Sequence, residues 1–239
     1  MLTRRHPATP DHPIHDLLRE RWSGRAFDER DIEPAVLLRL FEAARWALSS
    51  ANEQPWRFVM ARRADKESFA RILSVLNPGN QTWATRAAVL GISTAKTTSQ
   101  RTGAANRWAW YDTGQAMAHL SVQATHEGLI VHQMAGYDAA KAREACGIPE
   151  GVEAVTAFAI GYPGDPVVLE EFNRNREAAP RTRRSLAETL FEGQWGVPFS
   201  RQSSVVSPQS TVFSQGNGPA DVLRNKNHRG HFYFALTAS

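Results

Sequence analysis

The chain has 239 residues, of which 42% are hydrophobic and 22% charged, a composition that suits a globular domain with a sizeable core and excludes a disordered chain. Its net charge of +4 comes from dispersed basic residues, so charge alone favours neither nucleic acid nor a small phosphorylated ligand. The single cysteine, Cys146, excludes an intrachain disulfide. No apolar run reaches the roughly 18 residues of a spanning helix and no signal peptide is visible, so we expect a soluble, cytoplasmic protein without membrane contacts.

The N-terminal third predicts a leader, two helices and a strand. Residues 1–13 are rich in Pro, Thr and His and predict a flexible leader. From Ile14, apolar residues at helical spacing predict a short helix, and Pro34 suits the first turn of a longer one. The apolar stripe of this second helix continues to Ser49 and Ser50, where we expect it to end. The segment WRFVMA then predicts a strand.

The middle of the chain contains the longest predicted helix. DKESFARILSVL predicts a helix, NPGNQTW a loop because turn formers dominate it, and AAVLGIS a buried strand. Residues 107–127 predict a long helix that Gly128 ends. A group of small residues in this helix would admit a second helix at close range, so we expect it at the centre of a two-chain interface: Gly114, Ala116, Ala118 and Ser121.

The remaining segments complete one predicted domain. LIVHQMAGYD predicts a strand and turn, AAKAREAC a short helix and VEAVTAFAIGYP a third strand. Strands mixed with helices, without an internal repeat, predict one domain built over a continuous sheet. Residues 200–239 are rich in Ser, Gln, Asn and Gly and predict a disordered tail, with a strand that wraps a partner as the alternative.

Several motifs are absent from the sequence, which narrows the chemistry. There is no G-x-S-x-G, no P-loop and no G-x-G-x-x-G that opens a helix, so serine hydrolases, NTPases and classical dinucleotide-binding proteins lose support. The histidines His119, His126 and His132 lack the spacing of metal ligands, and we predict no metal site.

Two basic clusters are candidates for anion binding. In RWSGR, alternate positions place Arg21, Ser23 and Arg25 on one side of an extended backbone. Guanidinium groups offer paired donors to phosphate oxygens, although a solvated basic loop explains this segment equally well. Arg181 and Arg183 form a second pair at the same spacing, far away in the sequence.

Taken in order, these segments resemble the nitroreductase family of FMN-dependent oxidoreductases over residues 14–199. The resemblance is carried by RERWSGRAFDERDIEP, LFEAARWALSSANEQPWRFVMA, NPGNQTW, YDTGQAMAHLSVQATHEGL, VHQMAGYD, AFAIGYP and RTRRSLAETLFEGQWG. It implies an α+β fold in which helices flank a central, mostly antiparallel sheet. It also implies an intertwined homodimer with FMN sites across the interface.

The resemblance assigns the FMN phosphate and the flavin edge to the basic clusters. Arg21, Ser23 and the backbone of Trp22 match residues that hold the phosphate and ribityl chain, and Arg181 with Arg183 match the pair that closes on the phosphate. Arg25 matches a basic residue near flavin N1 and the C2 carbonyl. We expect Arg25 to be catalytic, because a cation there stabilises reduced flavin, which is anionic at N1.

The other flavin contacts that the resemblance implies come from three loops. Asn80 matches an asparagine at the pyrimidine edge. The turn in HQMAG matches one whose backbone N–H, here that of Ala135, reaches flavin N5; its residues are Gln133, Met134, Ala135 and Gly136. The loop SSANEQP has more hydrogen-bonding groups than a turn needs and matches a segment that approaches the flavin of the partner subunit through Ser49, Ser50, Asn52 and Gln54.

The function implied by this resemblance is reduction of a small molecule by FMN. NADH or NADPH would deliver hydride, and an electron-poor acceptor such as a nitroaromatic or quinone would take the electrons in a ping-pong cycle. Dehydrogenation, dehalogenation and flavin fragmentation stay open as other chemistries of the family. The rival function is a non-catalytic binder of nucleic acid or a phosphorylated ligand, which the sequence disfavours because aromatic residues do not interleave with the basic ones.

Overall fold

The computed structural model describes residues 7–199, which fall into two compact units that meet between Arg183 and Arg184. The second unit is small and contains a turn of 3-10 helix, Leu186–Glu188, and a bridge between Phe191 and Pro198. Residues 1–6 of the expected leader and the expected tail at 200–239 lie outside the described residues. The predicted domain limits therefore stay predictions.

A five-stranded sheet forms the centre of the first unit, and all its strand pairs are antiparallel. The strands are β1 (Phe27–Asp28), β2 (Trp56–Arg62), β3 (Val89–Lys96), β4 (Ile130–Met134) and β5 (Val152–Pro163). Strands β1, β5, β3 and β2 follow one another across the sheet, and β4 pairs with β5 as well. The predicted antiparallel sheet is confirmed, and β1 is a strand that sequence patterns did not indicate.

Helices cover both faces of this sheet. They are α1 (Asp16–Glu20), α2 (Pro34–Arg45), α3 (Lys66–Ser74), α4 (Pro78–Ala84), α5 (Ala109–His126), α6 (Ala139–Cys146) and α7 (Glu171–Ala178). Successive residues of a strand point to opposite faces, so Ala157 and Phe158 of β5 enter different clusters. One cluster includes side chains of α3, α4 and α6, and the other includes those of α2 and α5. The predicted α+β class is confirmed.

Two predictions about the helices were wrong. NPGNQTW is largely the helix α4, because Pro78 occupies its first turn and the carbonyl of Asn77 accepts the N–H of Asn80 at 2.8 Å. Helix α2 ends at Arg45, well before Ser49 and Ser50, and a 3-10 turn at Ser50–Asn52 follows. Turn-forming residues at the start of α4 thus led to the prediction of a loop. The apolar stripe that continues beyond Arg45 led to the prediction of a helix end that is too late in the sequence.

The expected small-residue interface on α5 is only half exposed. Ala116 and Ser121 are buried within their own chain, because they lie on the side of α5 that packs against the core. Gly114 and Ala118, which are four residues apart and share the other side, are exposed. Only this exposed pair is available to a second helix.

Helix α7 was not predicted at all, for a clear physical reason. Its sequence, EFNRNREA, contains one large apolar residue, Phe172, and that side chain is exposed. The two buried residues of the helix are polar, Asn173 and Glu177. A helix that buries polar side chains has no apolar stripe for sequence reasoning to detect.

Candidate functional site

A cavity of about 430 Å³ lies where four elements of the first unit converge. The segment before β1 contributes Arg25, and α4 contributes its first turns. The end of β4 with the turn that follows it forms a third wall, and α7 forms the fourth. Six predicted flavin residues line this one cavity: Arg25, Asn80, Gln133, Met134, Ala135 and Gly136.

The turn after β4 is packed tightly against α4 in this cavity. Asn80 donates through Nδ2 to the carbonyl oxygen of Gly136 at 2.9 Å, and the N–H of Asn77 donates to the same oxygen at 3.0 Å. A Cβ atom on Gly136 would lie only 2.6 Å from Asn80 Nδ2. Glycine at position 136 therefore lets the turn approach the Asn80 amide closely, and the backbone of the turn forms part of the cavity wall.

Arg25 is the predicted cation of this site, and it has one positive and one negative neighbour that affect its pKa. Its guanidinium carbon lies 6.0 Å from the centre of the Trp83 ring. Burial lowers the pKa of Arg25 first, the positive charge of Arg176 lowers it further, and the carboxylate of Glu177 raises it. Arg176 also lines the cavity, so the pocket carries two guanidinium groups where sequence reasoning identified one.

Glu177 is a buried carboxylate that sequence reasoning missed. It is 2% exposed, and its oxygens accept the backbone N–H groups of Arg25 and Ala26 at 2.9 to 3.1 Å. The partners are about 150 residues away along the chain, so no local pattern could reveal them. Asn173 of the same helix donates to Thr82 Oγ1 at 3.4 Å, so α7 contacts two walls of the cavity.

The predicted phosphate residues form a second group, outside the cavity lining. Arg21 donates through Nη1 to Ser23 Oγ at 3.3 Å, and Arg181 donates to the carbonyl of Arg19 at 3.0 Å. The pKa of Arg21 is lowered by burial and then by the positive charges of Arg181 and Arg183. The two clusters that the sequence separates are therefore close in space. Between Arg21 and Arg25 the chain can span at most about 13 Å.

Trp22, the remaining residue of this segment, packs partly against the core cluster that contains α3 and α4. Its ring also explains the glycine beside it. A Cβ atom on Gly24 would lie 2.7 Å from Trp22 Cζ2 and 2.7 Å from the side chain of Ile130. The glycine at position 24 thus lets the RWSGR segment pass close to the sheet.

The other predicted flavin loop, SSANEQP, does not line this cavity. Asn52 and Gln54 line a separate polar cavity of about 440 Å³, together with three arginines: Arg45, Arg57 and Arg101. Neither Ser49 nor Ser50 lines either cavity. Within one chain, residues 49–54 are therefore not assembled with Arg25.

Residues 49–54 hold an unusual backbone. Ala51, Asn52 and Gln54 have positive φ values of 50°, 55° and 45°, which residues other than glycine rarely adopt. Ser49 Oγ accepts the N–H of Gln54 at 3.0 Å, and buried Asp112 of α5 accepts the N–H of Ser50 at 3.0 Å. Strain of this kind persists only where surrounding contacts enforce it, and it concentrates at functional sites.

His132 lines the same cavity as Arg25 and is neutral at ordinary pH. Its Nδ1 is 3.1 Å from the carbonyl oxygen of Gly24, which can only accept, so the neutral ring carries its proton on Nδ1. The ring packs against Trp83 with centroids 4.6 Å apart. Burial, followed by the charge of Arg25, lowers the pKa of His132 to about 4.

Two negative findings concern the described residues. Among residues 7–199, no group of three or more His, Cys, Asp or Glu side chains is arranged to hold a metal ion. The helices of this part of the chain include none that is long and apolar enough to cross a membrane.

Comparison with known proteins gives one family and several similar structures. The model described as Nitroreductase family matches residues 18–89 and 69–162. An oxidoreductase containing FMN, known from its crystal structure, is 33% identical with a TM-score of 0.75, over 80% of this chain and 96% of that chain. A 15.4 kDa protein of Mycolicibacterium smegmatis, described as uncharacterized and from the ask 5' region, is 33% identical over 60% of this chain and 99% of its own length.

A more distant crystal structure supports the fold alone. A nitroreductase family protein from Clostridium difficile 630 is 21% identical, with a TM-score of 0.59 over 74% of this chain and 96% of that chain. At this identity, the similarity concerns the arrangement of the sheet and its helices.

The pKa of His132 predicts how stability depends on pH. Because the folded-state pKa of about 4 is below the ordinary value near 6.5, protonation favours the unfolded state. Stability is complete above about pH 6.5 and falls as pH approaches about 4, by up to roughly 3 kcal/mol from this residue. His132→Asn, whose amide can still donate to Gly24, should reduce this loss. We would measure chemical denaturation across that range, with the exposed His119→Asn as control; equal pH dependence in both variants would contradict the assignment.

Proposed function

The chain belongs to the nitroreductase family, as the sequence resemblance predicted, and on this premise we propose that it is an FMN-dependent oxidoreductase. Its reductant is NADH or NADPH, and its acceptor is an electron-poor molecule of the nitroaromatic or quinone type. The observation that carries the proposal is the cavity itself. It brings together Arg25, Asn80 and the turn at residues 133–136, which are distant in sequence and all predicted to contact flavin.

The first unit offers suitable chemical groups for both ends of FMN, the phosphate and the flavin ring. A phosphate needs clustered cationic donors, and Arg21, Arg181 and Arg183 lie close enough for their charges to interact. A flavin ring needs hydrogen-bonding groups along one edge and apolar surface on its faces. The cavity offers amide side chains and the backbone around Gly136 for the edge, and Met134 and Phe172 as apolar surface.

Each cavity residue has a defined task in this proposal. When bound, FMN supplies the capacity to accept a hydride and pass two electrons to an acceptor. Arg25 stabilises negative charge that develops at the edge of the ring, and Asn80 orients the ring and supports the turn at Gly136. Because donor and acceptor use the same cavity in succession, we expect ping-pong kinetics.

We include a homodimer in the proposal, for two structural reasons. Residues 51–54 include strained positions but line a different cavity from Arg25, so a second copy of the chain is needed to place them at a flavin. Exposed side chains on α2 and α5 offer a surface for that copy: Leu38, Tyr111, Gly114 and Ala118. Leu38 and Tyr111 are large and well exposed, while the small residues Gly114 and Ala118 would let a second helix approach closely.

The first test of the proposal removes two members of the phosphate cluster. Arg21→Ala combined with Arg183→Ala removes two charge-assisted contacts, each worth about 1.5 to 3 kcal/mol, so FMN affinity should fall at least about a hundredfold. Fluorescence titration of apoprotein with FMN measures this. The control is Arg71→Ala with Arg107→Ala, which removes the same net charge from exposed positions. Full flavin occupancy in the first double variant after dialysis would contradict the phosphate site.

The second test addresses the dimer. Ala118→Glu places a charge on the exposed side of α5 without disturbing the core of its own chain. If that side packs against its counterpart, the buried charge should shift sedimentation toward the monomer and reduce FMN occupancy. Ala70→Glu, at an exposed position of α3, is the matched control. A monomeric Ala118→Glu variant with unchanged FMN occupancy would show that one chain suffices for the site.

A further inference from the structure

We infer that Glu177 is a positioning residue for Arg25, and that its carboxylate fixes the backbone of Arg25 and offsets part of the guanidinium charge at the cavity. The inference rests on the proposed FMN site. Nothing in the sequence patterns assigns Glu177 a role, and it lies on α7, a helix that those patterns did not predict.

The anchoring contacts are unusually complete for a single side chain. Oε2 of Glu177 accepts the N–H of Arg25 at 2.9 Å, while Oε1 accepts the N–H groups of Arg25 and Ala26, both at 3.1 Å. Hydrogen bonds to an ionised acceptor are about twice as strong as neutral ones. A carboxylate that is 2% exposed would be unfavourable without such partners, so α7 and the Arg25 segment stabilise each other.

Further contacts fix the backbone on each side of Arg25. The carbonyl of Gly24 accepts from His132 Nδ1 at 3.1 Å, and the carbonyl of Ala26 accepts the N–H of Gly164 at 2.7 Å. Together with Glu177, these bonds hold residues 24–26 from three different elements. Arg25 can then adjust only its side chain, which suits a group that must meet a ring edge at a fixed distance.

The electrostatic part of the inference follows from two adjacent residues of α7. Arg176 lines the cavity beside Arg25 and adds positive charge, whereas the carboxylate of Glu177 opposes it. Without the carboxylate, the field at the cavity would be more positive. A more positive field favours the anionic reduced flavin, so the midpoint potential of bound FMN should rise.

Two substitutions separate the effect of the hydrogen bonds to Glu177 from the effect of its charge. Glu177→Gln can keep an oxygen at the Oε1 position, which retains the bond to Ala26 and one bond to Arg25, while its charge is lost. Glu177→Ala removes both the charge and all three bonds. Glu171→Ala and Glu171→Gln, at an exposed position on the same helix, are the matched controls.

The first arm of the experiment uses apoprotein and needs no flavin. Hydrogen exchange at the amides of Arg25 and Ala26 should accelerate at least about tenfold in Glu177→Ala and less in Glu177→Gln, with no change in either Glu171 control. Glu177→Asp retains the charge and should restore part of the protection. Unchanged exchange in Glu177→Ala would overturn the inference by itself.

The second arm measures the midpoint potential of bound FMN in a double-variant cycle. Glu177→Gln should raise the potential both with Arg25 present and in an Arg25→Gln background, because the field of the carboxylate adds to those of the other charges; the second background excludes a contribution from movement of Arg25. No shift, or a fall, in the Arg25→Gln background would overturn the electrostatic part of the inference. A wild-type protein that binds no FMN would overturn both the proposed function and the electrostatic part of the inference. The hydrogen-exchange experiment on apoprotein tests the hydrogen bonds of Glu177 independently of FMN.

Discussion

Repulsion between like charges is the constraint on which the rest of this structure depends. Arg21, Arg181 and Arg183 come from opposite ends of the first unit, and burial, followed by the proximity of the other two charges, lowers the pKa of Arg21. The fold holds the two ends together with neutral or opposite groups: the carbonyl of Arg19 accepts from Arg181, and Glu177 accepts from the backbone of Arg25 and Ala26. An anion bound among the guanidinium groups would relieve the repulsion, so a phosphate-bearing ligand should stabilise this arrangement.

The sheet explains how the phosphate cluster and the cavity keep their relative positions. Strand β1 begins two residues after Arg25 and pairs with β5, which also pairs with β4. The Arg25 segment and the turn at Gly136 are thus attached to two strands that both pair with β5. The loop at residues 49–54 is attached to α5 through the bond from the Ser50 N–H to Asp112, and its residues 51–54 line a different cavity. The proposed dimer accounts for this separation, because it allows one chain to supply the phosphate cluster and the cavity, and its partner to supply the strained loop.

Much of this arrangement could be predicted from the sequence, and the exceptions have physical causes. Helices with an apolar stripe, such as α2 and α5, and strands rich in β-branched residues gave clear local patterns. Helix α7 gave none, since Asn173 and Glu177 are its buried residues. The role of Glu177 depends on N–H groups about 150 positions away, which no local pattern encodes. Similarly, the positive φ values of Ala51, Asn52 and Gln54 occur in a loop whose Ser50 N–H donates to Asp112, 62 residues away, and no local pattern predicted them.

The most direct test of the account is an equilibrium titration of the apoprotein with FMN and, in parallel, with riboflavin, which has the same ring system but lacks the phosphate. The account predicts one FMN per chain and an affinity for riboflavin at least about a hundredfold lower, because only FMN engages the guanidinium cluster. Equal affinities for the two flavins, or the absence of FMN binding, would contradict the claim that Arg21, Arg181 and Arg183 form a phosphate site beside a flavin cavity.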